Sequence, residues 1–175
     1  MSKLYHNSKY LLAPSLILVS LAGVIVGGPF AWTGVVLLFV GILIDTAIRK
    51  QSSSTMHGSD GETLANPAFQ NMVMYMMLPV FVLLQLALAW RVYGYMTGMP
   101  VEVTSMIWGV IPFTSGITGL DLIGATLSTG IFAGIGIIYG HELSHTKGFA
   151  FLISRMIWLF QAQHISATHT CTTII

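Results

Sequence analysis

Two histidines and a glutamate stand close together in the stretch GHELSH, residues 140–145, directly after a long apolar segment. His141 and His145 are four residues apart, which places both imidazoles on one face of a helix. Glu142 is turned from His141 by about 100°. Ionisable groups near a membrane are costly and usually functional. We therefore predict that His141 and His145 bind a metal ion, while Glu142 orients a ligand, binds weakly or faces solvent.

The H-E-x-x-H spacing allows more than one kind of metal site. It is the signature of zinc proteases, in which the glutamate is the general base. It is equally compatible with one of several histidine clusters that hold two iron ions. An intramembrane zinc protease needs a third ligand, typically an aspartate on a later span, and no aspartate follows Arg155. A structural or inactive membrane protein is the non-enzymatic alternative.

The composition identifies the environment of the chain. Of its 175 residues, 54% are hydrophobic and 7% are charged, whereas a soluble domain carries about 25% charged residues. So few charges cannot cover a surface that faces water, and we predict an integral membrane protein. The net charge of +1 gives no indication of a nucleic-acid partner. The single cysteine, Cys171, excludes a disulfide framework within the chain.

Hydrophobic runs divide the chain into candidate membrane spans. We predict an all-α polytopic membrane protein, a single domain over residues 1–175, with four spans at about 11–27, 30–48, 72–90 and 120–139. Residues 51–67 form a polar loop. Residues 104–117 are apolar but short and contain Pro112, so we expect an interfacial or re-entrant segment there.

Basic residues give the orientation of these spans. With four spans, only Arg91 falls on one side, and six basic residues fall on the other: Lys3, Lys9, Arg49, Lys50, Lys147 and Arg155. The positive-inside rule makes the second side cytoplasmic. We therefore expect the N-terminus and the histidine segment on the cytoplasmic side of a bacterial inner membrane.

Three further features of the spans lead to expectations. Asp45, near the cytoplasmic end of the second span, is a helix-end charge or a support for the metal site. Asp121 opens the fourth span, where a carboxylate suits the helix dipole, so we assign it a structural role. Gly130 and Gly134 are four residues apart, a spacing that lets a partner helix approach closely.

The stretch GHELSHTKG, together with the preceding span LDLIGATLSTGIFAGIGIIYG, resembles the first histidine box of the membrane alkane monooxygenase family. That family is related to the xylene monooxygenases and, more distantly, to the membrane fatty acid desaturases, whose first box is more often H-x-x-x-H. The resemblance covers residues 119–147. It implies a non-haem di-iron enzyme that hydroxylates hydrocarbon C–H bonds with O2 and takes electrons from rubredoxin or a ferredoxin-type donor.

The resemblance also implies further histidine boxes, beginning with H-x-x-x-H-H some 20–30 residues later. Here that region contains His164 and His169 but no His-His pair. These two histidines are ligands only if the register of the family is kept, so the di-iron site is incomplete in this chain. We therefore expect weak iron binding and no monooxygenase activity from the chain alone.

The region after residue 163 suggests a reading-frame shift. When plausible codons for residues 164–175 are read in a shifted frame, they can spell a sequence that contains H-x-x-x-H-H. Our hypothesis is an insertion or deletion near residues 161–163, which would make the chain a truncated amino-terminal part of the enzyme. Sequencing the source DNA through these codons and beyond residue 175 tests it, because an unshifted frame without later histidine boxes would contradict it.

Overall fold

The computed structural model describes residues 9–48, 67–144, 152–153 and 155–156. This part of the chain is mostly helical. A short 3-10 helix at Lys9–Leu11 precedes the first α-helix, and a second one at Gly28–Trp32 joins the first two α-helices. The elements, in chain order, are α1 (Leu12–Val26), α2 (Thr33–Ile48), α3 (Pro67–Met96), β1 (Val103–Ile107), β2 (Ile111–Thr114) and α4 (Gly119–Ser144).

Three of the helical segments are long and apolar enough to cross a membrane, namely Gly28–Ala47, Ala68–Met96 and Gly119–His141. These three segments confirm the spans predicted at residues 30–48, 72–90 and 120–139. They indicate an integral membrane protein. α1 has 15 residues, or about 22 Å at 1.5 Å per residue, which is short of about 30 Å of hydrocarbon. The first predicted span is thus an apolar helix, and its crossing of the membrane stays a prediction.

The four helices alternate in direction. At one end, the side chain of Arg91, near the end of α3, donates hydrogen bonds to the carbonyls of Val24 in α1 and Thr114 in β2. We call the end that holds Arg91 and the two strands the hairpin end. The opposite end, where α4 finishes just beyond His141, is called the histidine end. α1 and α3 therefore run toward the hairpin end, and α2 and α4 run away from it.

The core lies between α1, α3 and α4, where large apolar side chains interlock. Phe81 and Leu84 of α3 and Ile17 of α1 are almost completely buried. These residues belong to one cluster that also includes the following buried side chains: Leu21, Val24, Met77, Ala125 and Phe132.

Close contact of α4 with α2 and with the 3-10 helix before it depends on glycines near the hairpin end. A Cβ at Gly34 would lie 2.7 Å from the Cβ of Ser128, and one at Gly124 would lie 2.6 Å from the Trp32 ring. Small residues at such contacts let parallel backbones approach closely. The expectation of close packing at Gly130 and Gly134 is not met within the described residues, because a Cβ at either position would meet nothing within 4 Å.

Residues 103–114 form an antiparallel β-hairpin, so the all-α prediction is wrong for this segment. The amide of Val110 donates to the carbonyl of Ile107 over 3.2 Å, and Trp108 and Gly109 both have positive φ, at 52° and 72°. Residues 108–110 make the tight turn between the strands, and positive φ values are typical of such hairpin turns. β-branched residues favour strands, and Pro112 disfavours a helix interior, which explains why the segment is not helical.

Candidate functional site

The histidine end is built on the last turns of α4. His141 lies on this helix with an exposed side chain, and the helical backbone continues through Glu142 to Ser144. The helix therefore extends beyond the predicted span and carries His141 and Glu142 at successive positions. The carbonyl end of a helix favours cations, so a metal ion would be electrostatically compatible with this location.

The other predicted ligands are not part of the described structure. His145, His164 and His169 lie outside the described residues. Of Glu142, only the helical backbone is described. Within the described part of the chain, no group of three or more histidine, cysteine, aspartate or glutamate side chains could hold a metal ion. The predicted ligand set therefore stays a prediction, and only the position of His141 is established.

The start of α4 is fixed by a reciprocal cap. The hydroxyl of Thr118 accepts a hydrogen bond from the amide of Asp121 over 3.1 Å and donates one to its carboxylate over 2.7 Å. A carboxylate in the first helical turn also interacts favourably with the helix dipole. Asp121 therefore has the structural position expected from the sequence, 20 residues before His141.

An apolar groove lies between α1, α2 and α4 in the half of the bundle nearer the histidine end. Its cavity volume is about 350 Å³, within the range of ligand pockets. Almost all of the lining is apolar, and the one charged residue among the lining side chains is Asp45. The main lining residues are Leu16 of α1, Leu37 and Gly41 of α2, and Phe132 and Ile135 of α4.

The groove leads toward the level of His141. α2 and α4 run in the same direction, and Gly34 faces Ser128. Eleven residues further along each helix, Asp45 comes to about the level of Tyr139. His141 is then about 3 Å further along the axis, at 1.5 Å per residue. Asp45 thus lines the groove near its histidine end, which fits either of the roles expected for it.

Beyond the histidine segment, the chain returns to the beginning of α3. Ile153 is buried, and Met74, Tyr75 and Leu78 pack against it. Positions 152–153 and 155–156 are helical. Besides the last turn of α4, the histidine end therefore includes this contact between Ile153 and the early part of α3.

The principal polar cluster of the described structure centres on Arg91 and was not predicted from the sequence. The sequence assigns this residue only a role in the orientation of the spans, but in the structure its side chain is 1% exposed. Its Nε donates to the carbonyl of Val24 over 2.8 Å, and one terminal nitrogen donates to the carbonyl of Ile25. The last carbonyls of a helix have no partner within that helix. Arg91 therefore supplies the donors that the end of α1 needs.

The same guanidinium also holds the hairpin. Its other terminal nitrogen donates to the carbonyls of Thr114, Ser115 and Gly116 over 2.7, 3.3 and 3.2 Å. The guanidinium carbon lies 4.4 Å from the ring centre of Trp90, close enough for a cation–π interaction. Arg91 thus joins α1, α3 and the end of β2 at a single point.

One sequence signal could have identified this cluster. An arginine within an apolar segment is expected to find partners inside the protein, and here the turn Gly27-Gly28-Pro29 supplies the space. Gly27 has a φ of 80°, and a Cβ there would lie 2.6 Å from a terminal nitrogen of Arg91. The glycine and the arginine are 64 residues apart, so the sequence alone gives no pairing between them.

Comparisons of the chain with protein-family models, with curated proteins and with solved structures gave no match. The family resemblance therefore rests on the residues of the histidine segment and its preceding span.

Proposed function

We propose that the chain is the amino-terminal part of a membrane-bound non-haem di-iron monooxygenase that hydroxylates hydrocarbon C–H bonds. The observation that carries this proposal is the position of His141 on the last turn of a long apolar helix whose preceding turns line the apolar groove. The resemblance of residues 119–147 to the first histidine box supplies the type of reaction.

The groove supports a hydrocarbon substrate. An unsubstituted hydrocarbon offers no hydrogen bonds, so its affinity depends on burying apolar surface. Leu16, Leu37 and Phe132 provide such a surface. A substrate dissolved in the bilayer would enter between α1, α2 and α4 without crossing water. The groove would hold the chain of the substrate and direct one end of it toward the level of His141.

The donor chemistry of the histidine segment fits iron, although it supplies only part of a site. Imidazoles are common iron ligands, and His141 and His145 would provide two of them. His164 and His169 are further candidates, and Glu142 would orient a ligand or bind weakly. Two iron ions, when bound, would supply the activation of O2. Because the proposed ligands are too few for two ions, we expect weak binding and no hydroxylation by this chain alone.

The proposed orientation puts the histidine end in the cytoplasm of a bacterium. Rubredoxin or a ferredoxin-type protein is soluble and would deliver electrons there. The hairpin end would then face away from the cytoplasm. Lys9 and Arg155 would lie on the cytoplasmic side, in agreement with the positive-inside rule.

A metal titration of the purified chain in lipid nanodiscs tests the proposal. We expect Fe²⁺ to bind weakly and binding to fall at least tenfold in His141→Ala and in His145→Ala. His57→Ala is the matched control and should bind iron as the unchanged chain does, because the proposal gives His57 no role. Bound metal is measured by elemental analysis after equilibrium dialysis.

Two outcomes would contradict the proposal, and a third would contradict only the expectation that this chain is inactive by itself. A strong preference for Zn²⁺ over Fe²⁺ would favour the protease alternative. Equal iron binding in all three variants would favour a structural role for the histidine segment. Hydroxylation of an alkane by this chain with a reductase and rubredoxin would contradict the expectation that the chain alone is inactive.

A further inference from the structure

The hairpin between α3 and α4 has a surface that is unusual for a loop between two membrane spans. Residues 92–120 contain a single charged residue, Glu102. The side chains near the turn are apolar and exposed: Met106 is 58% exposed, Val110 78% and Trp108 90%. Exposed apolar patches of this kind usually mark an interaction surface, so bulk water is a poor environment for this tip.

The backbone of the hairpin is not compatible with the hydrocarbon interior of the membrane. In the described structure the sheet has two strands, so the outer edge of each strand has amide and carbonyl groups without a partner strand. Such groups cannot remain without hydrogen bonds in hydrocarbon, where there is no water to satisfy them. The apolar side chains and the open backbone edges are both satisfied in the headgroup region, where lipid and water mix.

The connections of the hairpin hold it at that depth. α3 ends at Met96 and α4 begins at Gly119, so the hairpin joins the ends of two membrane-spanning helices. Arg91 bonds to the carbonyl of Thr114 at the end of β2. The base of the hairpin is also closed by a hydrogen bond between the hydroxyls of Thr104 and Ser115, at 3.0 Å. The tip therefore projects from a fixed base at the membrane boundary.

The turn carries an aromatic residue at a position whose backbone conformation is unfavourable for it. Positions with positive φ in hairpin turns favour asparagine and glycine. Here the first such position is Trp108, with a φ of 52°, and a bulky residue in this conformation is an outlier. Tryptophan is enriched at membrane interfaces because its ring is apolar and its N–H is polar. An interaction made by the indole outside the protein would explain a tryptophan at this position.

We propose that the hairpin is an interfacial anchor, inserted through Trp108 and Val110 into the lipid headgroup region on the hairpin side of the membrane. Its partner is the bilayer itself. This anchor is independent of the metal site and would act whether or not the protein is a monooxygenase. Because Arg91 joins the hairpin to α1 and α3, it would also fix the depth of the bundle in the membrane.

Fluorescence of a single tryptophan measures the depth of the tip. In the full chain, Trp32, Trp90 and Trp158 are replaced by phenylalanine, and the protein is reconstituted into phosphatidylcholine vesicles. We expect Trp108 to be quenched at least twofold more by lipids brominated near the headgroup than by lipids brominated near the chain end. Iodide in the aqueous phase should quench it less than it quenches a free tryptophan analogue.

The control places a tryptophan in the middle of a span. Phe39→Trp, made in a chain whose four native tryptophans are replaced by phenylalanine, changes an exposed side chain of α2. We expect deep bromines to quench this tryptophan better than shallow ones. Full iodide quenching of Trp108 with no effect of brominated lipids would overturn the proposal and indicate a tip in water or in a protein contact. Stronger quenching by deep bromines would overturn it in favour of a re-entrant segment.

A second measurement keeps all native tryptophans, since Trp90 stacks on Phe113 and its replacement can disturb the hairpin. Val110→Cys is made together with Cys171→Ser and carries a nitroxide label. We expect its accessibility to oxygen and to a water-soluble nickel complex to be intermediate between those of aqueous and mid-bilayer labels. Accessibility equal to that of either reference label would overturn the proposal.

Discussion

The two ends of the helix bundle differ in how the same helices are held. At the hairpin end, one buried arginine of α3 bonds to main-chain carbonyls of two other segments, the end of α1 and the end of β2, and α2 approaches α4 so closely that Gly34 has no space for a Cβ. Toward the histidine end, residues 38–47 of α2 are all exposed, and the groove opens between α1, α2 and α4. The same helix therefore passes from a tight contact to an open one within about two turns.

This difference separates the residues that hold the fold from the residues proposed to do chemistry. A buried guanidinium with several carbonyl acceptors is a stiff connection, because each acceptor that loses its donor is left without a partner. The groove has the opposite property, since apolar side chains around an open space can accommodate a ligand without losing hydrogen bonds. The hairpin end therefore keeps the helices in register, and the histidine end retains an open groove, where the proposed substrate would bind.

The largest effect should come from removing the arginine. Arg91→Met keeps much of the volume of the side chain but removes every donor to the carbonyls of Val24, Ile25 and Thr114. Each buried carbonyl left without its donor costs about 1–3 kcal/mol, so the loss of donors to several carbonyls should cost about 3–5 kcal/mol of the free energy of unfolding. We expect a loss of that size, measured by denaturant unfolding in mixed micelles.

Two variants at the same end serve as controls for this prediction. Arg91→Lys keeps the charge, but one ammonium group cannot bond to all the carbonyls of both segments, so its loss of stability should fall between those of the unchanged protein and Arg91→Met. Tyr93→Phe changes an exposed side chain two residues away and should leave stability within about 0.5 kcal/mol. If Arg91→Met were no less stable than Tyr93→Phe, the hairpin end would not be the stiff end.

The next effect concerns the turn that makes space for the arginine. Gly27 has a φ of 80° and a ψ of −167°, a region almost restricted to glycine, and its Cβ would collide with Arg91 and Thr114. Gly28 also has a positive φ, of 55°, but a Cβ there would meet nothing within 4 Å. We expect Gly27→Ala to cost at least about 2 kcal/mol and Gly28→Ala about 1 kcal/mol.

Thermal unfolding of the two variants, followed by circular dichroism, measures this difference. Because φ is positive at both positions, an alanine is strained at each. The additional loss of stability in Gly27→Ala therefore measures the collision with Arg91 and Thr114, together with the more restricted φ and ψ values at Gly27. Equal losses at the two positions would show that the close approach of Arg91 to the turn has no energetic importance.

The features that could be predicted from the sequence are those set by local composition. Long apolar runs must be helical in a membrane, because a helix satisfies all of its own backbone groups, and three of the four predicted spans are confirmed as long apolar helices. The helical position of His141 follows for the same reason. The exposed tip around Trp108 could also be recognised as unsuited to a spanning helix, through Pro112 and the short length of the apolar run.

The features that could not be predicted depend on contacts between distant segments. Arg91 meets Val24 across 67 residues of chain, and nothing in either local sequence indicates the other. The glycine spacing predicted that Gly130 and Gly134 contact a partner helix. The close contacts lie instead at Gly34 and Gly124. The reason is that the face a helix buries depends on its rotation in the bundle. The β-hairpin at residues 103–114 could not be predicted for the same reason, because its strand pairing depends on the register between two segments.

The smallest expected effect on stability tests whether the packing of α2 changes along its length, from a close contact with α4 to an open groove. Gly34→Ala would put a Cβ 2.7 Å from the Cβ of Ser128 and from the hydroxyl of Ser20, so we expect a loss of about 1–3 kcal/mol through overpacking. Gly41→Ala, two turns later, meets nothing within 4 Å and removes a flexible residue from a helix. We expect it to be neutral or to stabilise by up to about 1 kcal/mol. Unfolding of both variants by denaturant in one lipid–detergent mixture measures the difference, and equal losses would mean that α2 is packed alike along its whole length and that the groove closes in the membrane.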